Sequence, residues 1–201
     1  MSSEAQVSSG IASLDQVLCG LRPGDNVVWQ VEGLDNYLAF ARPFAERALA
    51  EGRRLVYLRF APHPRILGPG PDLLTISVDP GHGFDAFSAR VNRVIEEQGA
   101  GAFYVFDNLS SLVEDWATDE QLANFFQVTC PYLRELETVA YFALTRGRHS
   151  HRAVARIRET TQLLIDVYHA GGELYLHPIK VFDRYSSEMF LPHVFDGEAL
   201  A

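Results

Sequence analysis

The chain of 201 residues lacks any long apolar run. Its longest stretch free of charged residues, Gln121–Leu133, is too short and too polar for a membrane-spanning helix, which needs about 20 apolar residues. The N-terminus, MSSEAQVSSG, carries neither a basic start nor an apolar core, so it does not read as a signal peptide. Cysteine is scarce: Cys19 and Cys130 are the only two and stand far apart in sequence, which gives no metal knuckle. They read as reduced thiols in a cytoplasmic protein. Positive charge is also in deficit, with 17 Lys+Arg against 26 Asp+Glu and a formal charge of −9. That balance argues against broad adhesion to nucleic acid or anionic membrane. The GxSxG, HExxH and CxxC signatures are all missing, so no motif marks a hydrolase, a zinc protease or a thioredoxin-like site.

What is present is an ordinary globular composition, 47% hydrophobic and 21% charged, in a chain long enough for one domain. Short runs rich in Val, Ile, Phe and Tyr predict strands at Asn26–Val31, Leu55–Phe60, Leu74–Val78, Ala102–Asp107 and Thr138–Thr145. Little polar alternation interrupts them, as expected of strands buried on both faces. Helical spacing predicts helices over Phe40–Glu51, Phe84–Gln98 and Asp119–Leu136, with Pro131 expected to kink or break the last of them. The alternation implies a parallel sheet with helices on both faces. Farther on, Thr161–Tyr168, Gly172–Val181 and Met189–Val194 read as strands, the first two joined by a hairpin at His169–Gly172. The loop Ala61–Pro71, rich in Pro and Gly, is expected to be irregular and exposed. Residues 1–25 thus form a preamble, 26–145 a parallel α/β core, and 146–201 a basic loop followed by an antiparallel extension.

The preamble contains Gly10–Asp15 (GIASLD) and Gly20–Asp25 (GLRPGD) and leads into the first strand. This order resembles the RecA-like ATPases, above all their KaiC-like branch. Residues 102–112 (AFYVFDNLSSL) look like that family's Walker B strand, and the tail with Lys180 and Arg184 is similar to its terminal hairpin. The resemblance implies a RecA-like fold. It also implies a phosphate loop, GxxxxGK[ST], whose amides, lysine and hydroxyl hold Mg-ATP. Here the corresponding segment is Val31–Leu38 (VEGLDNYL), in which Tyr37 and Leu38 stand at the lysine and hydroxyl positions and Gly33 alone remains of the glycines. Glu32 and Asp35 add negative charge where phosphate would sit, and like charges 4 Å apart repel by about 1 kcal/mol even in water. The carboxylates expected after the second strand are replaced by Arg59–Pro62 (RFAP). The family's hydrolytic chemistry is therefore not expected.

The resulting expectation is a non-hydrolysing regulatory or scaffolding module that works through self-association or a protein partner. Residues 103–112, 125–133 and 155–168 also resemble a module associated with phosphoenolpyruvate synthase and pyruvate phosphate dikinase-type proteins, which implies a phosphotransfer context. A rival reading is an ATPase or kinase with a non-standard phosphate site. Gly33, Asp107, Lys180 and Arg184 would then be the nucleotide-binding residues, with Mg²⁺ on Asp107. Asp107 reads more readily as a strand-end carboxylate accepting the amides of Asn108–Ser111 or capping the next segment. Five arginines, Arg146, Arg148, Arg152, Arg156 and Arg158, form a candidate interaction patch for an acidic protein surface. Nucleic acid is the weaker partner, because the segment holds no aromatic residue for base stacking. His149 and His151 read as surface histidines and not as metal ligands. The tail at 185–195 carries more apolar residues than one edge strand can bury, which suggests an interface or a tail folded back onto the sheet.

Overall fold

The computed structural model describes residues 6–115 and 117–201. The sequence reading of the N-terminus falls in part on residues 1–5, outside the described residues. The elements in chain order are α1 (Ala12–Leu18), β1 (Asn26–Val31), α2 (Leu34–Ala50), β2 (Leu55–Arg59), β3 (Leu73–Ser77), α3 (Phe84–Gln98), β4 (Phe103–Asn108), α4 (Ser110–Asp115), α5 (Asp119–Glu135), β5 (Val139–Thr145), α6 (His151–Thr160), β6 (Leu163–Ala170), β7 (Glu173–Val181) and β8 (His193–Phe195). The strands form one sheet in the order β3-β2-β4-β5-β1-β6-β7-β8. The first six in that order run parallel, and β7 and β8 continue it antiparallel.

All six residues of β1 are buried, as its unbroken NVVWQV pattern requires of a strand in the middle of a sheet covered on both faces. Alternate side chains part between two cores. Val27, Trp29 and Val31 meet Tyr37, Phe40, Ala41 and Phe44 of α2 on one face, where α1 also packs. Val28 joins Phe106, Phe142 and the apolar sides of α3, α5 and α6 on the other. Trp29 stacks on Phe40 with ring centroids 4.4 Å apart, and Phe44 on Tyr141 at 4.0 Å.

Several expectations change. Helix α2 begins at Leu34, six residues before the reading from Phe40, and runs through Pro43. Helix α5 likewise continues past Pro131 to Glu135. An interior proline costs about 3 kcal/mol. Around Pro131, however, Phe126 and Leu133 are buried, each worth about 1.5–3 kcal/mol, and Cys130 is buried beside them, so packing outweighs the lost bond. The expected basic loop is largely helix α6, started by Ser150, whose hydroxyl accepts the Ala153 amide. Loop 61–71 is irregular but not wholly exposed, because Ile66 and Leu67 enter the core. In the tail only His193–Phe195 is strand. Met189 and Phe195 fold back into the core, whereas Phe190 and Leu191 stay exposed. Among the described residues no helix is long and apolar enough to cross a membrane.

Candidate functional site

Strands β1 and β5 are neighbours, yet the chain leaves β1 into α2 on one face and β5 into α6 on the other. Such a reversal opens a crevice beyond the carboxyl ends of the strands, where open α/β sheets bind ligands. The residues there are Glu32 and Gly33 after β1, Asp107 and Asn108 at the end of β4, Thr145 at the end of β5 and Arg146 just after it.

Charged side chains occupy this crevice. Arg146 Nε donates to both oxygens of Asp166, at 3.1 and 3.0 Å, and Nη1 lies 3.7 Å from Glu32. Glu32 in turn accepts the His169 amide at 3.0 Å and faces the ring Nδ1 at the same distance. These His169 hydrogen bonds hold the Glu32 carboxyl below its ordinary range. Burial pushes Asp166 up, against the pull of Arg146. Arg146 also lies over the Tyr168 ring, 4.7 Å from its centroid. Gly33 is the N-cap of α2, and its amide donates to Asn36 Oδ1 at 3.2 Å.

Tyr37, where the resemblance implies a lysine, points into the protein. Tyr37 is fully buried and donates its hydroxyl to the Phe106 carbonyl at 3.2 Å. Burial raises its phenol far above the ordinary value. The register of β4 against β5 shifts between Val105 and Asn108, and Tyr37 satisfies a carbonyl within that irregular stretch.

Asp107 is fully buried and hydrogen-bonded by protein groups. Its Oδ2 accepts the amides of Phe60 and Ala61, at 2.9 and 3.0 Å, and its Oδ1 accepts the Tyr57 hydroxyl. Burial, then this bond to Asp107, pushes Tyr57 up to about 12. His63 lies 3.9 Å from the same carboxylate. Its Nε2 accepts the Asn108 amide at 3.2 Å, which leaves Nδ1 as the donor to the Pro64 carbonyl at 2.7 Å. Assigned from those partners, the ring is neutral.

Lys180 and Arg184 lie at the other end of the sheet. Lys180, the only lysine in the chain, donates to the carbonyls of Arg158 and Glu159 at the end of α6. Arg184 holds Asp25, just before β1, through two bonds of 2.7 and 2.8 Å. Their side chains are 2% and 3% exposed. A cavity of about 400 Å³ opens beside this pair, lined also by Arg134, Gln162 and Phe182. The length of β1, roughly 20 Å at the usual strand rise, separates these residues from Gly33 and Asp107. The four nucleotide-site candidates therefore do not converge.

The five arginines divide as well. Arg146 is committed as above, and Arg148 pairs with Glu114 at 3.1 Å. Arg156 reaches Asn124 and Gln127 on α5 and lies 3.8 Å from Glu120. Arg152 and Arg158 are exposed on α6 and form no ion pair among the described residues. The surface reading of His149 is corrected: its side chain is 1% exposed and sits between Ser110 and Asp119. Sequence patterns missed it because its partners lie 39 and 30 positions away. Among the described residues no group of three or more His, Cys, Asp or Glu is placed to hold a metal ion. Comparison with protein-family models and with curated proteins finds no match to this chain.

Proposed function

We propose that this protein is a non-hydrolysing, RecA/KaiC-like regulatory or scaffolding module that acts through protein–protein contacts. The observation that carries the reading is the network of side chains at the carboxyl end of β1. Tyr37 turns inward to the Phe106 carbonyl, and Glu32, Arg146, Asp166 and His169 bond to one another there. A nucleotide phosphate entering that space meets Glu32, and Arg146 would have to leave two carboxylates to greet it. Asp107 would have to release two amides and a hydroxyl to bind Mg²⁺. The preamble, the central place of β1 and the antiparallel β6–β8 extension support the RecA-like part of the reading. The phosphoenolpyruvate synthase-type context rests on resemblance alone.

The contact surface in this proposal is the exposed side of α6, where Arg152 and Arg158 form no ion pair among the described residues. An acidic protein surface, on a second copy or on another chain, is the matching occupant. Sedimentation of the purified chain over a range of concentrations, alone and with candidate phosphotransfer partners, tests this. Association that the Arg152→Glu/Arg158→Glu variant weakens at least tenfold is expected. A chain that stays monomeric at every concentration and binds no partner contradicts the proposal.

A further inference from the structure

Three side chains brought together from distant parts of the chain have no place in the scaffold reading. Ser110 opens α4 immediately beyond β4, Asp119 opens α5, and His149 precedes α6. Ser110 Oγ lies 2.6 Å from His149 Nε2, and His149 Nδ1 lies 2.7 Å from Asp119 Oδ1. The hydrogen-bond directions follow from the neighbours. The Thr145 amide donates to Ser110 Oγ at 2.7 Å. The Asp119 carboxylate can only accept, so Nδ1 carries the ring proton; in the neutral ring Nε2 is then bare and accepts the Ser110 hydroxyl. The other oxygen of Asp119 accepts the Ser150 amide at 2.7 Å, which fixes the carboxylate. Burial opposes ionisation of Asp119, but the Ser150 amide and the His149 ring outweigh it and keep its pKa below the ordinary value.

We infer that Ser110, His149 and Asp119 form a nucleophilic relay for acyl transfer from small esters. Nucleophile, base and orienting carboxylate stand in the geometry such a relay needs, and relays of this kind are recognised by geometry and roles. The position fits, because the serine sits on a strand-to-helix turn at the carboxyl edge of a parallel sheet. In the reaction, Ser110 Oγ bonds to the ester carbonyl carbon as its proton passes to His149 Nε2. The carbon–alkoxy bond then breaks, and the leaving oxygen takes that proton. Water then gives a proton to the same imidazole as its oxygen bonds to the acyl carbon; the acyl carbon–Oγ bond breaks, and Oγ takes that proton back as the acid leaves. The Thr145 amide donates to Oγ and holds the hydroxyl in place beside His149. Ser110 is 1% exposed and its neighbours Asn108 and Thr145 are half-buried, so substrate enters only on local opening and must be small.

The test is labelling of the full-length chain with a small fluorophosphonate, with the site mapped by mass spectrometry. The oxygen–phosphorus bond forms and fluoride leaves, so the readout needs no known substrate. Label on Ser110 is expected, lost in Ser110→Ala and retained in Ser111→Ala. The rate should fall about 100-fold in His149→Ala, the usual worth of a general base. Asp119→Asn, at a partly exposed position, supplies the same comparison if His149→Ala does not fold. No label on Ser110 in the folded protein overturns the inference, and so does equal labelling in the folded base or carboxylate variants.

Discussion

The Tyr37 hydroxyl donates to the carbonyl oxygen of Phe106 across 3.2 Å, joining the first turn of α2 to the end of β4. A residue at the position where the resemblance implies a phosphate-binding lysine is thereby part of the core. Tyr37→Phe keeps the packing and leaves that buried carbonyl without its hydroxyl. A loss of about 1–2 kcal/mol is expected, seen in a denaturant melt or as a melting temperature lower by about 3–6 °C. An unchanged midpoint would show that the bond contributes nothing.

Arg184 and Asp25 make the most deeply buried charge pair among the described residues. Removing one partner strands the other's charge, so Arg184→Met should cost about 3–5 kcal/mol. Adding Asp25→Asn to that variant removes the stranded charge and should recover part of the loss. Chemical denaturation of the two variants measures both steps. A double variant less stable than Arg184→Met contradicts the account.

Gly10 has φ +85°, and a Cβ there would lie 2.2 Å from the Pro43 carbonyl oxygen on α2. Gly52, at φ +68°, would place a Cβ in open space. Gly10→Ala should therefore cost clearly more than Gly52→Ala, whose penalty is about 1 kcal/mol from the backbone alone. Equal melting temperatures in the two variants would mean that the preamble does not pack on α2 as described.

Asp119 has a folded pKa below its ordinary value of 3.8. A lowered carboxyl contributes stability that is present above the unfolded pKa and is lost as pH falls through the folded one. Wild type should thus exceed Asp119→Asn in stability at neutral pH, and the gap should close below about pH 3.8. Urea melts at several pH values read this directly. A gap that stays constant across the acid limb would remove Asp119 as its source.

The apolar runs made the sheet legible. The expected spans Asn26–Val31 and Phe84–Gln98 coincide with β1 and α3, because buried runs and a glycine stop are local signals. Helix α6 was hidden by its arginines, although the Ser150 cap and the Ala153/Ile157 spacing mark it. The candidate site was legible only in part. Tyr37 and Leu38, where the resemblance implies a lysine and a hydroxyl, can be read along one segment. That Lys180 and Arg184 sit a strand's length from Asp107 depends on which end of the sheet each turn occupies. His149 meets Ser110 and Asp119 only once the β4–α5–β5 crossover has closed, and no spacing rule spans it.

The most direct test of the side-chain network at the carboxyl end of β1 is a thermal-shift titration of the intact chain with Mg-ATP, repeated with ADP and GTP. A ligand at about 100 times its dissociation constant adds about 2.7 kcal/mol, which for a chain of this size raises the melting temperature by roughly 5–10 °C. The account predicts no shift with any of the three nucleotides. A Mg-dependent rise of that size, abolished by Asp107→Asn in a folded variant, would contradict it and make Asp107 a metal-binding carboxylate.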